Sequence, residues 1–253
     1  MLAIERQRQI LELLAESGSL RTTETAEKLG VTDETVRKDF ELLERRGELK
    51  RIHGGASKLE RVRPDLSFVE RQAVMRAEKQ AIAKLAASRI QPNETIFLDA
   101  SSTVLTLTEF LPDIPLTILT NALNVFTALA DRSCFDLMCT GGLFDAKSRS
   151  FIGLTAERTL QSYNIHRMFL SGSGLDIERG VSEGNARQAA FKERVVAHAE
   201  DVVLLADHSK LGRKASFFFA PTRELSCVIV DPAADAGFCR KIEVAGPEVL
   251  VAS

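Results

Sequence analysis

The sequence predicts an α/β protein of two unequal parts: a small helical N-terminal unit closed by a hairpin, then a larger unit on a mostly parallel β-sheet. Three observations carry that reading. Up to Gly55, apolar residues recur at helical spacing in three short segments punctuated by glycine. From Glu70 onward, short continuous apolar runs alternate with helical segments, the texture of a parallel sheet covered on both faces. The length, 253 residues, suits one large domain or two unequal ones. A composition of 45% hydrophobic and 27% charged residues excludes a disordered chain, a collagen and a disulfide scaffold.

In the first unit, Ile10, Leu13 and Leu14 stand at i, i+3, i+4 and give a first helix its apolar stripe, which Ser17-Gly18 ends. A second helix spans 23–29 with Ala26 and Leu29 inward and Gly30 as its left-handed stop. Thr32 suits the N-cap of a third helix: its hydroxyl can accept from the free N–H groups near Thr35, and Asp33 and Glu34 favour the dipole. Val36, Phe40 and Leu43 then repeat at i, i+4, i+7 until Gly47. Residues 48–53 alternate like a strand before Gly54-Gly55. Residues 56–68 are charged, carry Pro64 and show little periodicity, which places a linker at 58–70 between domains 1–57 and 71–253.

The second unit reads as a helix over 69–90, strand 94–99, helix 103–111, strand 116–120, helix 122–130 and strand 135–139. Strand 167–172, helix 186–198, strands 201–206 and 227–231 and a helix near 233–242 follow.

Helix, four-residue turn, helix is the helix-turn-helix pattern, whose second helix enters a DNA major groove. With Val36, Phe40 and Leu43 in the core, its opposite face shows Glu34, Thr35, Arg37, Lys38 and Glu41. Arg37 and Lys38 can donate to guanine edges or phosphates, and Thr35 can meet a thymine methyl. Thr22, Thr32 and Arg45 complete the candidate set, with Lys50, Arg51 and His53 on a basic wing able to reach a phosphate or the minor groove. The net charge of −2 offers no bulk argument for nucleic acid, yet residues 37–63 hold nine Lys/Arg against five acids, a local +4. A three-helix protein-interaction module with solvated cations accounts for the same periodicity.

Glu5-Arg6-Gln7-Arg8-Gln9-Ile10-Leu11, Thr35-Val36-Arg37-Lys38-Asp39-Phe40 and Arg51-Ile52-His53-Gly54-Gly55-Ala56 together resemble the winged helix-turn-helix of DeoR-type transcriptional repressors, the glycerol-3-phosphate-repressor-like group. The likeness continues through Thr120-Asn121-Ala122-Leu123, Gly141-Gly142 and Leu205-Ala206-Asp207-His208-Ser209-Lys210-Leu211-Gly212, so it covers nearly the whole chain in order. It implies a Rossmann-like sensor domain similar to the ribose-5-phosphate isomerase and CoA-transferase fold. It also implies a repressor of a carbohydrate-catabolism operon, released from its operator by a phosphorylated sugar.

The residues support such a site. Strand 94–99 runs into Ala100-Ser101-Ser102-Thr103, strand 116–120 into Asn121, and strand 135–139 into Thr140-Gly141-Gly142. Hydroxyls and free N–H groups at helix N-termini, at the carboxyl ends of parallel strands, suit an anion. Ser101, Ser102, Thr103, Asn121, Gly141 and Gly142 are therefore candidates, although ordinary helix capping accounts equally well for any single one. The resemblance implies Gly where Ala100 stands. Asp99 and Glu183 can accept sugar hydroxyls, and Lys192, or Lys210 beside Asp207, can meet a phosphate. Taken alone, Lys192 reads as a solvated lysine and Lys210 as the better partner.

The alternative is a phosphosugar isomerase- or deaminase-like enzyme with an accessory helix-turn-helix, for which Asp99, Glu183 and Asp207 are candidate bases. Arg37 and Lys38 on a recognition helix argue against it, so no catalytic residue is expected. A pure oligomerisation module leaves the hydroxyl-rich strand ends unexplained. Cys134, Cys139, Cys227 and Cys239 lack a C-x-x-C pair, and His166, His198 and His208 lack metal-ligand spacing, so neither disulfide, metal nor cofactor is expected. No apolar run nears the ~20 residues that span a bilayer and the N-terminus is charged at once, so a cytoplasmic homodimer or homotetramer on an inverted-repeat operator is the expectation.

Overall fold

The computed structural model describes residues 3–46, 48–58 and 68–253. The body of the expected linker, the Gly47 stop, and Arg61 and Arg63 of the basic count lie outside the described residues. The chain divides into two compact units, 1–64 and 65–253.

The first unit comprises α1 (Ala3–Ser17), β1 (Ser19–Arg21), α2 (Thr22–Leu29), α3 (Asp33–Arg45), β2 (Leu49–Ile52) and β3 (Gly55–Lys58). Its core is Ile10, Leu14, Ala26, Val36, Phe40, Leu43, Leu49 and Ala56, which includes the positions that helical spacing singles out on α3 and two of the three on α1; Leu13 is only half-buried and lies outside this cluster. Gly30 ends α2 at φ 64°, and the Thr32 hydroxyl accepts from the Thr35 N–H at 3.3 Å. The hairpin gains a third strand, in the order β1-β3-β2, all antiparallel. This pairing needs Gly55, since a Cβ there would lie 2.0 Å from the Leu20 carbonyl oxygen.

The second unit runs α4 (Phe68–Ala73), α5 (Arg76–Ala87), β4 (Thr95–Leu98), α6 (Ser102–Leu107), β5 (Leu116–Thr120), α7 (Leu123–Leu129), β6 (Phe135–Cys139), β7 (Leu143–Asp145), β8 (Ser150–Ile152) and α8 (Leu154–Gln161). It continues with β9 (Ile165–Leu170), β10 (Gly174–Asp176), β11 (Gly180–Glu183), α9 (Ala186–Val196), β12 (Ala199–Ala206), β13 (Phe217–Ala220), β14 (Cys227–Val230), α10 (Ala236–Val244) and β15 (Glu248–Val251). Seven strands form one parallel sheet in the order β15-β14-β12-β9-β4-β5-β6. Alternation along each strand feeds two cores: Phe97, Leu119, Met168 and Leu204 on one face, Ile96, Leu98, Ile118 and Phe169 on the other.

The expected helix over 69–90 is two helices. Met75 takes a left-handed conformation (φ 53°), and the Lys79 ammonium donates to the carbonyls of Arg71 and Val74, satisfying the last turn of α4. The three-stranded sheet β10-β11-β13, the hairpin β7–β8, helix α8 and edge strand β15 were not anticipated. Most of these strands are only three or four residues long, too short for a period to show.

Topology fixes where a ligand belongs. From β4 the chain builds outward through β5 and β6, then returns to β9 on the other side of β4. The crevice beyond the carboxyl ends of β4 and β9 is thus a topological switch point.

Candidate functional site

In the first unit α3 buries Val36, Asp39, Phe40 and Leu43 and exposes Glu34, Arg37, Lys38 and Arg45, with Thr35 half-buried. Among the described residues, Lys38 and Arg45 pair with neighbours on the same helix, Glu34 at 3.9 Å and Glu41 at 2.6 Å. Such exposed pairs are worth about 0.2–1 kcal/mol, so redirecting either cation to a phosphate costs little. Lys50, Arg51 and His53 are exposed on the wing, and the Arg51 N–H donates to Glu44 of α3 at 2.9 Å, tying wing to helix. Thr32 is exposed but shares its hydroxyl with that of Thr35 at 2.9 Å. Thr22 is corrected: it is buried, and both its N–H (2.9 Å) and its hydroxyl (3.0 Å) are spent on the Gly54 carbonyl, so it holds the wing turn rather than DNA.

In the second unit a polar cluster is buried at the switch point. Asp99, just past β4, accepts from the Ser101 N–H (3.0 Å) and, across the crevice, from the Ser171 N–H beyond β9 (3.1 Å). Lys192, projecting from α9, meets Asp99 at 3.0 Å, Glu183 at 2.7 Å and the Ser171 carbonyl at 2.6 Å. The other Glu183 oxygen takes the Ser173 hydroxyl at 2.6 Å. Burial pushes the Glu183 carboxyl up, but Lys192 and Ser173 outweigh it and hold it below the usual glutamate range. Burial likewise pulls Lys192 down, and Asp99 and Glu183 more than reverse that. Around this triad opens a cleft of about 360 Å³, mouth included, lined by Arg71, Ala100, Lys147, Ser148, Glu183, Asn185, Gln188 and Lys192. Gln188 donates to Ser148 and Ser150, both at 2.9 Å, fastening α9 to the β7–β8 hairpin.

Several expectations shift. Lys192, read as a solvated lysine, lines the cleft; Lys210 stands behind it, donating to the Ser171 hydroxyl at 2.8 Å with Asp207 at 3.7 Å. Burial lowers the Lys210 ammonium. Lys79 is brought down to about 8 by burial and by Lys210. Asp207 is raised by burial but lowered more by Lys210 and Ser209. Ser101 proves to be an ordinary N-cap, its hydroxyl accepting from the Val104 N–H at 3.1 Å. Gly141 and Gly142 do not line the cleft. Gly142, at φ 111°, is a packing position, since a Cβ there would sit 2.8 Å from the Ile152 oxygen. Asn121 donates to the Phe151 carbonyl at 3.0 Å and so anchors β8.

Ser102 and Thr103 are buried at the start of α6, beside the crevice. The Thr103 hydroxyl, the Asn121 side-chain oxygen and the Arg71 Nε are buried with no partner among the described residues. Arg71, Lys147, Ser148 and Gln188 were missed. They lie on α4, a loop, and a helix face whose sequence texture is that of solvated surface, and only the fold brings them together.

Comparison with known proteins gives a consistent picture. Residues 6–62 match the model of the DeoR-like helix-turn-helix domain, and residues 74–232 that of the DeoR C terminal sensor domain. The chain is 36% identical to the uncharacterized HTH-type transcriptional regulator YulB of Bacillus subtilis over 96% of its length and 94% of that protein. It is 33% identical to the lactose phosphotransferase system repressor of Staphylococcus epidermidis, covering 90% of this chain and 91% of the relative. Among solved structures, a ribose 5-phosphate isomerase from Methanocaldococcus jannaschii matches with a TM-score of 0.40 and 16% identity, over 53% of each chain.

Proposed function

Since this chain belongs to the DeoR family of DNA-binding transcriptional regulators, we propose that it represses a carbohydrate-catabolism operon and leaves its operator when a phosphorylated sugar fills the cleft of the second unit. The observation that carries the effector class is the cationic lining of the cleft, in which Lys192 is held by Asp99 and Glu183 while the Arg71 Nε has no partner among the described residues. That Arg71 Nε is a donor reserved for an anion. The Thr103 hydroxyl and Asn121 oxygen lie buried behind the lining, and a ligand reaches them only by entering deeper between the strand ends.

The protein senses its ligand rather than turning it over. A general base needs a free oxygen and a pKa near the working pH. Both Glu183 oxygens are occupied and its carboxyl is held low, while Asp99 is spent on two N–H groups and Lys192. No cofactor enters this reading. A single α3 of 13 residues reads only a few base pairs, so the working form is a homodimer or homotetramer on an inverted repeat.

The test is to titrate the full chain on its own promoter DNA with a panel of sugar phosphates and the matching free sugars, following DNA release, thermal stability and product together. One phosphorylated sugar should release DNA and, at a hundredfold over its Kd, add about 2.7 kcal/mol to stability, with no product. Equal potency of the free sugar, or turnover, would overturn the reading.

A further inference from the structure

The Arg6-Gln7 and Asp39 positions, which fall within the family-like motifs, have no part in the functions described so far. In the structure they form one contact. Asp39 is buried on α3 between Lys38 and Phe40, with its side chain 5% exposed and that of Arg6 12% exposed. The Arg6 guanidinium reaches across from α1 with both arms, Nε to one Asp39 oxygen at 2.5 Å and Nη2 to the other at 3.2 Å. Gln7 adds a third bond to Asp39 at 3.0 Å, and its own oxygen accepts from Arg46 at the end of α3 at 3.2 Å. The other ion pairs of this unit among the described residues are exposed ones.

We propose that this buried clamp of Arg6, Gln7 and Asp39 sets the rotation of α3 about its axis, and with it the registry of Arg37 and Lys38 against base edges. Arg6 and Asp39 are thereby positioning residues for sequence-specific DNA reading. The proposal rests on α3 being the DNA-reading helix. Apolar packing of Val36, Phe40 and Leu43 against α1 is non-directional and tolerates small rotations. A bidentate guanidinium–carboxylate pair has a single geometry. The distinction matters at the helix surface. A rotation of about 20° carries a side-chain atom roughly 5 Å from the axis through about 2 Å. The donor–acceptor window of a base contact is only about 0.5 Å wide. Stability alone does not account for the clamp, because apolar residues of similar volume in place of a buried ion pair are often neutral or stabilising.

The experiment measures Kd for operator and for unrelated duplex DNA, with the salt slope of each, in the full chain. The variants are Arg6→Met/Asp39→Leu, which fills the same space without charge, and Arg6→Lys, which keeps the charge but not the fork. For the double variant we expect unchanged affinity and salt slope on unrelated DNA and at least a tenfold loss on operator. For Arg6→Lys we expect a loss of threefold or more on operator alone, and this variant decides the matter if the double variant does not fold. A folded variant whose ratio of operator to unrelated-DNA affinity equals that of wild type overturns the clamp. Wild type lacking any operator preference instead overturns the DNA-reading assignment of α3.

Discussion

Replacing Lys192 by Met removes the cation that contacts both Asp99 and Glu183 and leaves two carboxylates buried, at 2% and 6% exposure. Breaking a buried pair by deleting one partner costs about 3–5 kcal/mol, because the remaining charge is uncompensated. The second unit spans residues 65–253, a size at which each kcal/mol moves Tm by about 2–4 °C, so its transition should fall by about 6–20 °C. The pH dependence carries the sharper sign. In wild type the folded Glu183 pKa lies below its unfolded value, so its contribution is present above that value and is lost as pH falls through the folded pKa. Without Lys192, burial pushes the Glu183 carboxyl up against the Ser173 hydroxyl and a more distant Arg71 charge, so the penalty is largest at high pH and shrinks on acidification. Differential scanning calorimetry at pH 8 and pH 5 should show the gap between wild type and Lys192→Met narrowing at the lower pH, with operator affinity retained because α3 lies in the other unit. A loss under 1 kcal/mol, or a gap that widens at pH 5, would refute the assignment of Lys192 as the counter-charge of the cleft.

Thr103→Val should leave stability unchanged or raise it by about 1 kcal/mol, since it removes a fully buried hydroxyl without a partner, yet weaken the sugar-phosphate response at least tenfold; a full response in this variant removes Thr103 from the ligand set. Arg37→Ala should lose about 1–3 kcal/mol on operator with base selectivity relaxed, read by competition against single-base operator variants, and an unchanged operator Kd removes Arg37 from the reading face. Lys50→Ala and Arg51→Ala should weaken all DNA alike and flatten the salt slope, whereas an effect at one base position contradicts a phosphate role. The His208 ring, hydrogen-bonded to fully buried Asp231 at 2.9 Å, has its pKa raised by that bond. Its contribution is therefore complete below the unfolded value and lost as pH rises through the folded one, so urea midpoints should decline on going above pH 6.5 in wild type and decline less in His208→Gln.

The two kinds of element differ in how well sequence announces them. Val36, Phe40 and Leu43 mark α3 because three apolar residues on one face of a 13-residue helix leave a period, and Thr32 and Gly30 mark its boundaries chemically. The central strands announce themselves by continuous burial, as in Ile96 to Leu98 and Val202 to Ala206. Strands such as β1, β7 and β10 hold three residues each, and no period fits inside them. The break between α4 and α5 was hidden because its cause, an ammonium closing carbonyls five and eight residues back, is a tertiary arrangement of an ordinary lysine. For the same reason the strand-end hydroxyls were legible as a group but their division of labour was not. Whether a Ser caps a helix, as Ser101 does, or a hydroxyl stays unpaired, as that of Thr103 does, depends on neighbours far away in the chain.

The strand order also governs when, during synthesis, the protein comes under control. The last described element of the first unit, β3, ends at Lys58, and among the described residues the core of that unit draws on none beyond Ala56. The sheet centre pairs β4 with β9, Ile96 opposite Arg167, and β9 in turn with β12, so it cannot close until Ala206 has been made, 148 residues after Lys58 (206 − 58). At ribosomal speeds of about 5–20 residues per second that interval is roughly 7–30 s. Parallel pairing across such separations is slow once the residues exist, which lengthens it further. For that interval the nascent chain carries its helix-turn-helix elements without the cleft, so on the reading proposed above the part that meets DNA folds before the part that answers the effector.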